Sequence, residues 1–573
     1  MSDSHCRDPE RRLLLRRTSL LIAGAAVESA VPALWATTSY GSEAPIVQTQ
    51  YGKVRGTANR GVFIFKGIRY GAPTGGPNRF MPPQPPQPWS GVQDALSYGN
   101  SCIQSNPHPV PRRTLAARIP PGPAWPTPPE SEDCLFLNVW TQGLSDRGKR
   151  PVMVWLHGGA FISGSASEPV VDGTNLARRA NVVCVGINHR LNVFGYCNLA
   201  DLGNRHFSHS GNAGMLDIVA ALTWVQENIE RFGGDPQRVT IFGESGGGQK
   251  VSMLLACPPS KGLFQRAIIE SGPGVKMLER ADANHHAQML LRELGIAATR
   301  PEQLQTMPPQ RLLAAYFAVI AKLPPPVPGL PMPFSPVLDP QDLPAHPFYP
   351  AASAVHAAVP ILIGTNHHEI TLFAAESDFS LDEAGLQKRL STLLGAKAEA
   401  VLAGYRRIYP EYSPSDLYIR IATDYPTTQW TINICERKLA QHAAPVYRYR
   451  FDWETPILGG QLRSMHSLEV PFVFYNIELA RNMIGPGESP VILAGRMCDA
   501  WTTFAGTGNP NTTRSGLPKW PAYARTRDTM LFADRSRVVA DPDRQERAVL
   551  DPLMNPTRTA GGKVNADSES AAG

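Results

Sequence analysis

The chain has 573 residues, 42% of them hydrophobic and 18% charged, a globular balance that excludes an intrinsically disordered chain. Glycine (49) and proline (54) together make up roughly 18% of the residues against roughly 12% on average, which calls for many turns and rules out a coiled coil or helical solenoid. The formal net charge of +6 is small for this length and partly concentrated in an N-terminal arginine cluster, so no nucleic-acid partner is expected.

Arg11, Arg12, Arg16 and Arg17 precede an apolar run from Leu20 to Val27 and small residues up to Ala36. A charged start, a short apolar stretch and a small-residue exit describe a signal peptide over residues 1–36. Arg16-Arg17-Thr18-Ser19-Leu20-Leu21 is similar to a twin-arginine signal, departing from it at Ser19, and Glu28 shortens the apolar run. The protein is therefore expected to be exported, to the periplasm or beyond. No later segment approaches the ~20 apolar residues of a membrane helix, so no integral span is expected after signal removal. Residues 557–573 are polar and rich in Ala, Gly and Ser, which reads as a disordered tail.

The eight cysteines are Cys6, Cys102, Cys134, Cys184, Cys197, Cys257, Cys435 and Cys498. None forms a CxxC pair, which argues against zinc and iron–sulfur sites. Cys184, within the apolar run from Asn181 to Ile187, reads as a buried free thiol. Cys102 and Cys134 flank a proline-rich stretch that can hold neither a helix nor a central strand. They are the disulfide candidates, because a staple there would order the loop.

Short apolar runs then alternate with helical patterns. Pro151–Leu156 and Val182–Ile187 are strand candidates; Met215–Phe232 carries Leu216, Val219, Leu222, Val225 and Ile229 at helical spacing and stops at Gly233-Gly234-Asp235-Pro236. Val239–Phe242, Ala267–Ile269, Pro360–Ile363 and Val446–Phe451 are further strand candidates. The pattern predicts an α/β fold, with a mostly parallel sheet covered on both faces and a site beyond the carboxyl ends of the strands.

At one such end, Gly243-Glu244-Ser245-Gly246-Gly247 matches G-x-S-x-G between a strand and a helix. A serine on so sharp a turn needs small neighbours, and the turn exposes its hydroxyl. Upstream, Trp155-Leu156-His157-Gly158-Gly159-Ala160-Phe161 is a small-residue loop after a strand, able to aim several backbone N–H groups at one developing oxyanion. His157 itself reads as structural.

The resemblance carried by these segments extends over most of the chain. Phe65–Tyr70, Arg79–Pro83, Ser131–Asn138, Asn188-His189-Arg190, Gly211–Asp217 and Phe232–Pro236 appear in the order found in the type-B carboxylesterases. The chain resembles this family, which includes para-nitrobenzyl esterases and cholinesterases, from about Ile46 to the Asp541 region. The resemblance implies a single α/β-hydrolase domain over residues 44–556 and a serine hydrolase of small-molecule carboxylic esters that works without a cofactor. It maps the acid onto Glu369 in Gly364-Thr365-Asn366-His367-His368-Glu369, and the base onto His466 in Met465–Phe474. With Ser245 these give the chain order of α/β-hydrolase triads. By the same mapping the oxyanion donors are the N–H groups of Gly159, Ala160 and Gly246, and the family disulfide joins Cys102 to Cys134. Arg79 with Glu132, and Arg190 with Asp217, resemble the family's buried ion pairs.

Gly246 stands where the family has alanine, and Ser467 where it has glycine; the first is expected to loosen the turn and the second to shift the histidine loop. The pairs His285-His286 and His367-His368 do not form a metal site, since sequence neighbours do not converge on one ion. Two other readings stand beside the esterase: a hydrolase specialised for lactones, carbamates or bulky natural-product esters, and a non-catalytic interaction protein on the same fold. Retention of serine, acid, base and oxyanion loop weighs against the last.

Overall fold

The computed structural model describes residues 44–106, 113–123, 127–202, 205–324 and 331–554. The expected signal segment, with Cys6, and the expected tail lie outside these residues, as does part of the proline-rich stretch. From Ala44 onward the chain forms one compact unit.

In chain order the first strands are β1 (Ile46–Gln48), β2 (Lys53–Arg55), β3 (Thr57–Asn59), β4 (Val62–Arg69), β5 (Val92–Asp94), β6 (Phe136–Thr141) and β7 (Arg150–Leu156). They are followed by β8 (Val183–Ile187), β9 (Gly234–Glu244), β10 (Arg266–Glu270), β11 (Ile361–Asn366), β12 (Val446–Phe451), β13 (Asp528–Phe532) and β14 (Arg537–Ala540). The main sheet has the order β14-β13-β12-β11-β10-β9-β7-β8-β6-β4-β3, and β1, β2 and β5 form a small separate sheet. From β8 through β7, β9, β10, β11 and β12 to β13 every pairing is parallel, while β14 at one edge and β6, β4 and β3 at the other pair antiparallel.

The central strands carry apolar runs because both their faces are buried. In β7, Val152, Val154 and Leu156 enter one core cluster while Met153 and Trp155 enter another on the opposite face. The helix Ala213–Asn228 closes the first face with Met215, Ile218, Leu222 and Val225; the helix Ser489–Thr507 closes the second with Leu493, Met497, Trp501 and Phe504. The first helix tightens into a 3₁₀ turn as far as Phe232, and Gly233 ends it in the left-handed region at φ +71°. Gly234-Asp235-Pro236, expected within that stop, already belong to β9. A third, smaller cluster (Leu386, Leu390, Val401, Leu402, Tyr405 and Leu417) holds together helices at 383–394, 398–408 and 414–423. No motif in the sequence announced these helices.

The bond expected between Cys102 and Cys134 is not present: both are free, buried thiols. They interact directly, and a hydrogen bond with Cys102, together with burial, pushes the Cys134 thiol well above its usual value. The base of the proline-rich loop is closed by other means. Ser101 N–H donates to the Pro129 carbonyl at 3.0 Å and Ser131 N–H to the Ser101 carbonyl at 2.9 Å. The Glu130 carboxylate accepts the N–H groups of Gln104 and Ser105 at 3.0 and 3.1 Å.

Both expected ion pairs are formed. Arg79 meets Glu132 through two bonds of 2.6 and 2.7 Å. Arg190 grips Asp217 through Nε at 2.8 Å and Nη2 at 2.6 Å, and its own N–H donates to the same carboxylate at 3.0 Å. This second pair ties the loop after β8 to the helix Ala213–Asn228, and the Asp217 side chain is wholly buried. Removing one partner leaves a buried, uncompensated charge, so Asp217→Ala is expected to destabilise the protein by about 3–5 kcal/mol. Urea denaturation followed by tryptophan fluorescence measures this; a midpoint unchanged from wild type would contradict it.

Candidate active site

β9 ends at Glu244, and Ser245 takes φ +58°, ψ −122° before the helix Gly246–Leu254 begins. A non-glycine residue rarely occupies this region, so surrounding contacts must hold it there. They do so by close backbone approach. A Cβ at Gly243 or Gly247 would strike the Leu156 carbonyl at the end of β7, and one at Gly272 the carbonyl of Ser245 itself. A Cβ at Gly246 would collide with the backbone of Ala160. The expectation that glycine at 246 loosens the turn is therefore reversed: its missing side chain lets the Gly158–Ala160 loop close onto the serine turn.

Gly159 and Ala160 both have positive φ, +80° and +53°, which turns their peptide units away from the strand direction. Among the described residues, the N–H groups of Gly159, Ala160 and Gly246 donate to no protein acceptor, and an N–H at the start of a helix has no partner within it. These are free donors gathered around Ser245.

The loop is held from beneath by a residue the sequence reading passed over. Lys250, on the helix that follows Ser245, is completely buried, and its Nζ donates to the His157 carbonyl at 2.8 Å. Its charge lies 5.6 Å from the centre of the Phe161 ring. Burial pushes its amine down to about 7, against the pull of Glu168 and Glu244. The only sequence signal was a lysine among the small and apolar residues after the serine. His157 stacks on His189 with 4.8 Å between ring centres, and burial holds its pKa well below the usual histidine value, in keeping with a structural role.

Glu369 and His466 come together. Glu369 lies in the turn after β11 and His466 in the loop that follows β12; His466 Nδ1 is 2.5 Å from Glu369 Oε2. The other Glu369 oxygen accepts the Asn366 N–H at 2.7 Å, which fixes the carboxylate. The far side of the ring differs from expectation. His466 Nε2 lies 3.1 Å from Glu244 Oε1, and the Ser245 hydroxyl makes no hydrogen bond among the described residues. Glu244 is the residue immediately before Ser245, so His466 and Ser245 are neighbours without a hydrogen bond between them. Contacts of this kind often tighten only when substrate is bound.

The imidazole rests on a floor of carboxylates. Burial alone would lower its pKa, but the charges of Glu244 and Glu369 outweigh burial and push it up to about 10. Burial pushes Glu244 up to about 7, opposed by His466 and by a hydrogen bond from Ser467. Glu469, also buried, accepts from Ser271 Oγ at 2.8 Å and Asn366 Nδ2 at 2.5 Å. Burial and the neighbouring glutamates push it well above the carboxylate range. Behind it, Glu270 accepts from Trp501 Nε1 at 2.6 Å and is pushed by burial up to about 8. Glu244 could not be singled out from sequence because it fills the variable position of G-x-S-x-G. A cavity of about 560 Å³ opens beside these groups, with Gly158, Gly159, Glu244, Ser467, Glu130 and Glu168 among the residues of its wall. No helix of the described residues is long and apolar enough to cross a membrane.

Comparison with known proteins agrees with this geometry. Residues 43–549 match the model of the carboxylesterase family. The para-nitrobenzyl esterase of Bacillus subtilis (strain 168) is 38% identical over 511 residues, covering 88% of this chain and 98% of that protein. The human cocaine esterase is 35% identical over 514 residues, covering 84% and 86%. The crystal structure of a carboxylesterase from Geobacillus stearothermophilus superposes with a TM-score of 0.75 at 36% identity, covering 88% of this chain and 99% of that one. With the parallel sheet and the serine turn after β9, these similarities make the fold that of the α/β-hydrolases. The chain belongs to the carboxylesterase family and is a carboxylic ester hydrolase.

Proposed function

We propose that the protein hydrolyses small-molecule carboxylic esters through an acyl-enzyme, with Ser245 as nucleophile, His466 as general base and Glu369 as its orienting carboxylate. The observation that carries this reading is the 2.5 Å contact between His466 Nδ1 and Glu369 Oε2 beside a serine held on a strained strand-to-helix turn. The neutral imidazole takes the Ser245 proton on Nε2 as Oγ bonds to the ester carbonyl carbon. The oxyanion that forms is met by the N–H groups of Gly159, Ala160 and Gly246. As the tetrahedral intermediate collapses, the bond to the alcohol oxygen breaks and the imidazolium protonates that oxygen. A water, deprotonated by the same imidazole, then attacks the acyl carbon and releases the acid and the Ser245 hydroxyl. The arginine-rich N-terminus supports export of the enzyme, which N-terminal sequencing of the protein recovered from its native host would test. A panel of p-nitrophenyl esters of increasing acyl length measures how large a substrate the site accepts.

Ser245→Ala is expected to lower kcat by at least about 10⁴ with the fold retained, and a fluorophosphonate should label Ser245 alone. Labelling elsewhere, or an active variant, would sink the assignment.

The base must be neutral to accept a proton, and the surrounding carboxylates hold it protonated. Therefore kcat/KM should rise with pH along a limb on the alkaline side of the ordinary histidine value of about 6.5. A profile already flat from pH 5 to 8, with chemistry rate-limiting, would contradict it.

Gly246→Ala restores the residue usual in the family but places a Cβ against the Ala160 backbone. Since one displaced oxyanion donor typically costs about 10²-fold, kcat should fall by about 10–100-fold with KM changed far less. Wild-type turnover in this variant would show that the loop is free to retreat.

A further inference from the structure

Ser467 occupies a position that glycine would fill without strain: its φ is +64°, in the left-handed region that serine rarely adopts. Such an outlier asks what the side chain does there. Its Oγ donates to Glu244 Oε1 at 2.7 Å, and that same oxygen lies 3.1 Å from His466 Nε2. The imidazole is thus bracketed by two carboxylates, Glu369 on Nδ1 and Glu244 on the nitrogen that Ser245 needs. All three groups are buried: Glu244 is 4% and His466 7% exposed, where a charge contact is screened far less than at the surface.

We propose that Ser467 is a positioning residue that aims the Glu244 carboxylate at His466 Nε2, so that Glu244 competes with Ser245 for the base and sets the pH at which the base becomes available. The inference rests on the triad reading above and adds to it the control of its base. The hydroxyl acts in two ways. It gives the carboxylate of a glutamate that lines the cavity a second fixed partner beside His466. It also favours the ionised form of Glu244, since a hydrogen bond donated to a carboxylate stabilises the charge.

The sign of the effect follows from the groups that face these residues. Glu244 is faced by His466, Glu369, Glu168, Glu469, Glu270 and Lys250. His466 is faced by Glu244, Glu369 and Glu469. Four of these six are carboxyl groups that oppose a further negative charge, so Glu244 is held ionised by His466, Lys250 and the Ser467 hydroxyl. Without the Ser467 hydroxyl, Glu244 takes up a proton more readily and its hold on His466 weakens. The imidazole then loses its proton at lower pH, and the acid limb of kcat/KM moves toward acid.

The test is the pH–rate profile of Ser467→Gly, a variant whose backbone suits φ +64° and so should fold. The limb should shift to lower pH by at least half a unit, and Glu244→Gln should shift it further in the same direction. In the double variant Ser467→Gly with Glu244→Gln, the limb should coincide with that of Glu244→Gln alone, since Ser467 acts only through Glu244. A Ser467→Gly profile superimposable on wild type overturns the proposal, as does a Ser467→Gly shift that persists in the Glu244→Gln background. His466→Ala serves as the control: if it retains activity, the triad reading itself fails, whereas an inactive His466→Ala with an unshifted Ser467→Gly overturns only the role of Ser467.

Discussion

The architecture around the site depends on how closely three backbone segments meet at Ser245. The carboxyl end of β7, the turn after β9 and the segment after β10 approach so tightly that Gly243, Gly246, Gly247 and Gly272 have no room for a Cβ. This contact holds Ser245 in its strained conformation, and the same contact presses the Gly158–Ala160 loop against the first turn of the following helix. The parallel pairing of β7 with β9 and of β9 with β10 brings those segments to one end of the sheet. The strained serine and the unpartnered N–H groups of the loop beside it are therefore consequences of a single packing arrangement.

That arrangement is anchored by charge as well as by shape. Lys250 places a buried amine under the Gly158–Ala160 loop; its 2.8 Å bond to the His157 carbonyl and the pull of Glu168 and Glu244 do not offset desolvation, which pushes the amine down to about 7. On the other side of Ser245, His466 carries the opposite problem, a base surrounded by acids. Burial and carboxylate charge work against each other on the imidazole, and the carboxylates prevail. The site thus couples two buried basic groups, Lys250 and His466, to one glutamate, whose charge favours the protonated form of each. Glu244 is the link, which explains why a residue at the variable position of the serine motif has so much influence on its neighbours.

Elements whose burial is symmetric were the most legible. β7, β8, β10 and β11 have both faces covered, and the apolar runs within them stand out without reference to the rest of the chain, whereas β12 carries the buried Arg448 and Arg450 between its aromatic residues. The strands toward the two edges are less plain. β4 contains Lys66-Gly67 at an irregularity in its pairing with β6, and β3 and β14 are short and largely exposed, so neither alternation nor an apolar run marks them. The small helical cluster around Leu390 and Tyr405 has ordinary amphipathic helices that carry no motif. Cys102 and Cys134 show the converse: sequence and resemblance brought them together, and they do meet, but as two thiols, with the loop base closed instead by backbone bonds and Glu130.

What the amino-acid sequence determined by itself is the local chemistry: a serine on a glycine-flanked turn, a small-residue loop two strands earlier, and the periodicities that build a parallel sheet. Through the resemblance it also marked Glu369 and His466, which the fold brings to 2.5 Å of each other. Only the tertiary structure decided which charges face one another at that site. Glu244 and Ser467 lie 223 positions apart in the chain, and nothing in either segment specifies the other as its partner. Their meeting is set by strand order and loop path, which fix distance and desolvation together. Pattern in a sequence reports which side chains avoid water; the pairing of buried polar groups depends on where the whole sheet carries them.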